Sequence, residues 1–295
     1  MKKIVSKSLL VLSVGAMMFT SCNKETASDQ SKEIEVKVDS QIELELSEFV
    51  DDDITNIGNS IDQDLFKLGK QDNRKGKFYG DCAEVTREEK GSVVKVTVDF
   101  GEACEDSRGN IRSGKISINK TFNKADKTTN FVYSFKDYTF NGNAVKGTKV
   151  LKRTWSDKET GLATTDKKST ITIILADDAG TITRFTNKKR EWLEGFRSGN
   201  WNDNVIRVTG KAWGKNIKGD FYRTEIIEPV IIKNSCENRF VEGVKHRKVT
   251  NGKEFTVDFG NGECDDYFTV TVDEEEKEVK WSERKKKFKH MFKYN

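Results

Sequence analysis

Thiols are the side chains of this chain best placed to do chemistry. There are five, Cys22, Cys82, Cys104, Cys236 and Cys264. A cysteine can be acylated, oxidised to a disulfide or bound to zinc. No two of them have close C-x-x-C spacing, which weakens zinc and leaves acylation and disulfides. Imidazole is nearly absent, with only His246 and His290, so a Ser-His-Asp triad or a His-based metal site has almost no material. His290 lies in Lys286-x-Phe288-x-His290-x-Phe292, an alternation that reads as a terminal strand, and His246 lies among Lys245, Arg247 and Lys248 in a solvated turn or strand. No G-x-S-x-G, H-E-x-x-H or phosphate-binding loop is present. Carboxylates are plentiful, and any pair of them is a formal glycosidase dyad. Neither Asp51-Asp52-Asp53 nor Asp265-Asp266 has calcium-loop spacing, so both are expected to be surface acids. The sequence therefore implies no cofactor, no metal and no catalytic residue. Candidate ligand contacts are aromatic. Arg153-Thr154-Trp155 and Arg190-Glu191-Trp192 each place an arginine and a tryptophan on one strand face. Such a face can stack a sugar or a peptide aromatic, or it can be a core Trp covered by an Arg stem, which is the more common arrangement.

Cys22 sits in a particular context. Lys2, Lys3 and Lys7 precede an apolar run from Leu9 to Phe19, too short to span a bilayer. Thr20 and Ser21 follow, then Cys22. This resembles the lipobox of bacterial lipoproteins, with Phe19 where Leu is usual. The resemblance implies cleavage before Cys22 and a diacylglycerol and further acyl chain, such as palmitate, on that residue, enough lipid for stable anchoring. Asn23 rather than Asp follows, which points to the outer membrane, on its periplasmic or surface face.

The full chain has 295 residues, and 274 remain once the first 21 are removed. That suffices for one large all-β domain or two small ones. The formal charge of +4 falls to +1 with the loss of three lysines, which gives no global argument for nucleic acid as a partner. Charge is nevertheless segregated: 33–64 is acidic and 284–293 basic, each expected to be a solvated face. Four cysteines in an exported chain read as two disulfides. Cys82–Cys104 and Cys236–Cys264 are the favoured pairing, since each would bracket one candidate hairpin.

The elements follow from periodicity. Residues 22–33 read as a tether and 34–75 as an N-terminal segment. In it Ile34, Val36 and Val38 alternate as a strand would. Leu44, Leu46, Phe49, Val50, Ile54, Ile57, Ile61, Leu65 and Leu68 recur at helical steps, with a possible break at Gly58. From 76 to 295 alternating apolar and polar residues predict many short strands. Asn141-Gly142, Asn251-Gly252 and Asn261-Gly262 predict two-residue hairpin turns. The fold class expected is mainly β: an antiparallel meander, sandwich or open barrel, with an N-terminal amphipathic helix.

A duplication marks this β region. Thr97-Val98-Asp99-Phe100-Gly101 leads to Cys104, and Thr256-Val257-Asp258-Phe259-Gly260 leads to Cys264. Shared parity places Val98, Phe100, Val257 and Phe259 on the core side and Asp99 and Asp258 outside. Two equivalent ligand sites are one reading, and two copies of a stapled structural hairpin the stronger one. The Asp-Phe-Gly-x-x-Cys element, followed by Arg112-Ser113-Gly114-Lys115-Ile116, and the run from Thr139 to Thr148 resemble an uncharacterised family of β-rich lipoproteins from Bacteroidetes-type bacteria. That resemblance covers most of the chain after about residue 80. It implies fold and location, and no mechanism. Taken together, the sequence predicts a membrane-anchored envelope lipoprotein with a non-enzymatic binding or structural role, its partners the membrane through Cys22 and a glycan or envelope protein. An open-barrel carrier of an apolar ligand and a carboxylate-based hydrolase are the alternatives.

Overall fold

The computed structural model describes residues 42–66, 79–155, 162–196, 198, 200–250, 252 and 254–291. Cys22, the tether, the Ile34–Val38 strand, Leu68 and Asn251 lie outside the described residues. Within them the chain begins with α1 (Ile42–Phe66). It continues as β1 (Glu84–Lys90), β2 (Val93–Asp99), β3 (Cys104–Glu105), β4 (Ile111–Asn123), β5 (Thr128–Phe140), β6 (Asn143–Thr154) and β7 (Thr164–Ile174). Then follow β8 (Thr181–Glu194), β9 (Val205–Lys215), β10 (Phe221–Lys233), β11 (Phe240–Val249), β12 (Glu254–Asn261), β13 (Tyr267–Val272), β14 (Glu275–Lys280) and α2 (Trp281–Met291).

The strands form one antiparallel sheet in sequence order, with β3 alone off the path as a partner of β4. β1 and β14 are its free edges, so the sheet is an unclosed meander. Antiparallel neighbours need only short turns, which is why the strand order copies the chain order. At Asn141-Gly142 the expected two-residue turn joins Phe140 to its partner Asn143, with both turn residues at positive φ. Asn261-Gly262 is a correction. Asn261 is still paired with Glu242 of β11, and the Gly262 amide donates to the Val241 carbonyl at 2.7 Å. The chain turns over 262–266, because β12 and β13 pair only as far as Asp258 and Thr269. Pro229 lies where β10 slips register between Glu225 and Val230, a place where no ladder amide is lost.

Both disulfides join as expected, Cys82 with Cys104 and Cys236 with Cys264, with Cα atoms 5.5 and 5.3 Å apart. The two copies of the repeat share one device. Asp99 Oδ1 accepts from the Gly101 amide at 3.0 Å, and Asp258 Oδ1 accepts from the Gly260 amide at 2.9 Å. Each aspartate holds a bend that its glycine permits at positive φ.

Two apolar cores divide the sheet. In the first, Leu44, Val50, Ile54, Ile57 and Ile61 of α1 meet Val96, Ile118, Tyr133, Ile171 and Ile182. In the second, Trp192, Val208, Val230, Phe259 and Phe268 gather with Trp281 of α2 packed against them. The C-terminal segment, expected as a strand, is a helix. Asp266 accepts from the Ser282 amide at 3.1 Å and the Ser282 hydroxyl at 2.6 Å, tying down the first turn. The Trp281 ring packs tilted against that of Phe268, centroids 4.4 Å apart, and the following Lys and Arg residues favour helix.

Candidate functional site

The first turns of α1 carry Glu45, Glu48, Asp51, Asp52 and Asp53, and the helix continues to Asn56 and Asn59. Steps of three and four put Glu45, Glu48, Asp52, Asn56 and Asn59 in one stripe. The strands facing α1 have cations at the inward positions of their alternation: Lys149 and Arg153 on β6, Lys167 on β7, and Arg184, Lys188 and Arg190 on β8. All six are less than a tenth exposed. A helix of acids therefore lies on a sheet face of bases.

The pairs are specific. Arg284 of α2 grips Glu45 with two hydrogen bonds at 3.0 and 2.7 Å. Lys188 donates to Glu48 at 2.6 Å and Lys245 to the same oxygen at 3.1 Å. Lys149 and Lys167 donate to the two oxygens of Asp51 at 2.8 and 2.9 Å, and the Thr186 hydroxyl adds a third bond at 3.0 Å. Asp52 takes Lys167 at 2.7 Å and Arg190 at 3.1 Å. Arg112 spans Asp53, at 2.7 Å, and Asp106, at 2.9 Å, and Arg108 bonds both carboxylates. Arg153 donates to Asn59 at 2.6 Å. Arg184 is the exception. It is 1% exposed, none of its nitrogens has a hydrogen-bond partner, and it stands 3.8 Å from Glu48 and 3.9 Å from Asp51.

Titration follows from these contacts. Burial pushes Asp51 and Glu48 up. The surrounding Lys149, Lys167 and Arg184, and for Glu48 Lys188, Lys245 and Arg184, outweigh it and hold both well below the usual carboxylate range. Asp52 is lowered in the same way, its burial offset chiefly by Lys167 and Arg190. Asp106 falls to about 2, burial being outweighed by Asn110, Arg112 and Arg108. Burial lowers Lys149 to about 7, against the pull of Asp51.

This overturns the expectation that Asp51-Asp52-Asp53 is a solvated surface run: Asp51 is 0% and Asp53 2% exposed. The basic C-terminal face is likewise not wholly solvated, because Arg284 is buried on Glu45. Asp265 and Asp266 do lie at the surface, holding the loop before β13 and the start of α2.

The candidate ligand contacts are all turned toward this interior. Trp192 is buried in the second core, and Arg190 is spent on Asp52. Arg153 lies over the Phe131, Trp155 and Trp192 rings at 5.2–5.9 Å. Trp155 is half-buried and donates to Thr129 at 2.8 Å. The structure thus brings Arg153, Trp155 and Trp192 together, as two rings packed about the Arg153 guanidinium. The interior that an open barrel would offer an apolar ligand is filled by α1. His246 lies on β11 with its Nε2 3.1 Å from Glu254, and His290 lies on α2 rather than on a strand. Among the described residues no group of three His, Cys, Asp or Glu converges as a metal site, and no helix is long and apolar enough to cross a membrane.

Reasoning from sequence missed the cationic inner face. Its signal was there: Ile182, Arg184, Thr186, Lys188, Arg190 and Trp192 share one parity, so the cations alternate in step with residues read as core. No family model, curated protein or solved structure matches this chain.

Proposed function

We propose that this is a lipid-anchored protein of the cell envelope whose work is binding or structural support rather than turnover. The state of the interior carboxylates carries the reading. A general acid needs a carboxyl raised toward the working pH. Asp51, Asp52, Glu48 and Asp106 are held in the opposite direction, each neutralised by cations. They serve to seat α1 on the sheet. The repeated aspartates, Asp99 and Asp258, hold bends. The lysine-rich start and the run ending at Cys22 supply the anchor.

Two measurements test this reading. Wild type expressed with a clickable fatty acid is expected to be labelled and to sediment with membranes, and Cys22→Ala to lose both properties; a wild type that never takes label removes the anchor. Across a panel of glycosides, esters and peptides no turnover is expected. A hydrolytic activity that survives repurification and vanishes with one Asp or Glu substitution would overturn the non-enzymatic role.

A further inference from the structure

On the outer face of the sheet, cross-strand registers align Ser117, Ser134, Thr148 and Thr170 in one row that runs on into Phe185 of β8 and Trp213 of β9. The two rings face each other across the strands, 5.9 Å between centroids and 13° from parallel. They are 38% and 39% exposed, on the face turned away from both cores. Exposed paired aromatics on a soluble face mark a contact surface more often than a lone apolar residue does.

A depression of about 340 Å³ lies beside them. Its outward side chains include Asn187 and Lys211, two residues along from Phe185 and Trp213 on the same strands, and Glu225 of β10, with Asp166 and Lys189 across it. The fold makes the hollow. β10 pairs with β9 at Glu225 and Lys211 and again only at Val230 and Val208, so the strands part between those points.

The chemistry of this patch is specific in kind. Its outward side chains offer two carboxylates, two ammonium groups and one carboxamide, so donors and acceptors are balanced on that side, while Lys188, which also lines the hollow, is held by Glu48 on the inner face at 2.6 Å. An anionic polymer would meet Asp166 and Glu225, and single-stranded nucleic acid calls for a positively charged groove. A sugar hydroxyl both donates and accepts, like the hydroxyls of Ser and Thr. The C–H face of a pyranose is apolar and covers an aromatic ring. The hydroxyl row steps across strands at ~4.8 Å, which gives successive contacts to a chain longer than one sugar.

We propose that this outer patch binds a neutral glycan chain, with Phe185 and Trp213 as the stacking platform and the Asn187–Lys211–Glu225 hollow holding the sugar hydroxyls. The inference names a ligand class for the binding role proposed above and rests on that reading only for location. Loss of lipid labelling or discovery of a turnover would sink that role and leave the glycan site standing.

The test is affinity electrophoresis of the detergent-solubilised full chain through gels containing xyloglucan, mannan, levan, mixed-linkage β-glucan or pullulan. Retardation is expected in at least one gel, unchanged by added salt. Trp213→Ala is expected to weaken it about tenfold, the effect of losing one aromatic anchor, and Trp213→Tyr to retain most of it. Asn187→Ala, in the hollow, should also weaken it, while Trp155→Ala, on the inner side, leaves it unchanged. Unaltered thermal unfolding of Trp213→Ala and Asn187→Ala separates lost binding from lost fold. Retardation by none of the five polymers overturns the proposal. So does retardation that survives Trp213→Ala, or salt-sensitive retardation by single-stranded DNA alone.

Discussion

Two buried arginines of this protein are alike in exposure and opposite in partnership. Arg112 makes hydrogen bonds to Asp53 and Asp106 and lies over the Phe140 ring at 5.4 Å. Arg184 makes none and touches its carboxylates only at 3.8–3.9 Å. Breaking a buried pair strands its partner without water, at about 3–5 kcal/mol, whereas replacing an ill-satisfied buried ion by an apolar group of similar volume is often neutral. Arg112→Met is therefore expected to destabilise by about 3 kcal/mol or more. Arg184→Met should cost about 1 kcal/mol or less, since Lys149 and Lys167 still neutralise Asp51. Urea unfolding of the two variants checks this, and equal losses would contradict it.

At the scale of the element, α1 is shaped by what surrounds it. From Asp53 to Ile61 every residue is buried, so the helix is enclosed rather than laid on a surface. Gly58 is part of the fit. A glycine inside a helix costs about 1 kcal/mol relative to alanine, and here a break was expected. The helix instead runs through, because a Cβ at position 58 would run into the Tyr133 hydroxyl of β5. Gly58→Ala should thus destabilise despite its better helix propensity, by about 1–3 kcal/mol, as read from thermal unfolding. A stabilised variant would show that β5 gives way. The helix was legible from its spacing of Leu, Val and Ile. Its continuity was not, since only the position of Tyr133 makes a glycine useful there.

For the whole molecule, charge joins the two halves: Glu45 and Glu48 of α1 reach Arg284 of α2 and Lys245 of β11, far along the chain. This linkage has a pH signature. Asp51, Asp52, Glu48 and Asp106 titrate lower in the folded state than unfolded, so they bind fewer protons when folded. Their stabilisation is complete above the ordinary carboxylate range and is lost as pH falls through their folded values. Asp106 alone, moved from 3.8 to about 2, accounts for about 2 kcal/mol. The midpoint of thermal unfolding is expected to hold level from neutral pH to about 5 and to fall steeply between about 4 and 2. Asp52→Asn should flatten that fall.

Local rules were enough for much of this protein. Alternation of apolar and polar residues gave the strands, Asn141-Gly142 gave a hairpin, and the bracketed hairpins gave the cysteine pairing, because each depends on neighbours within a few tens of residues. What only the tertiary structure decided is where the charges go. Asp51-Asp52-Asp53 looks like a solvated run by itself, and the parity that sets Arg184, Lys188 and Arg190 in step with Ile182 and Trp192 does not say which acids will meet them. A charge is buried only when an opposite charge from a distant element arrives in hydrogen-bonding reach, and that arrival, Lys149 and Lys167 upon Asp51 about a hundred residues away, is a property of the folded sheet curling around its helix. The same curl turned Trp192 and Arg153 inward and left Phe185 and Trp213 facing water, since strand parity says which residues share a face and packing alone says which face is covered.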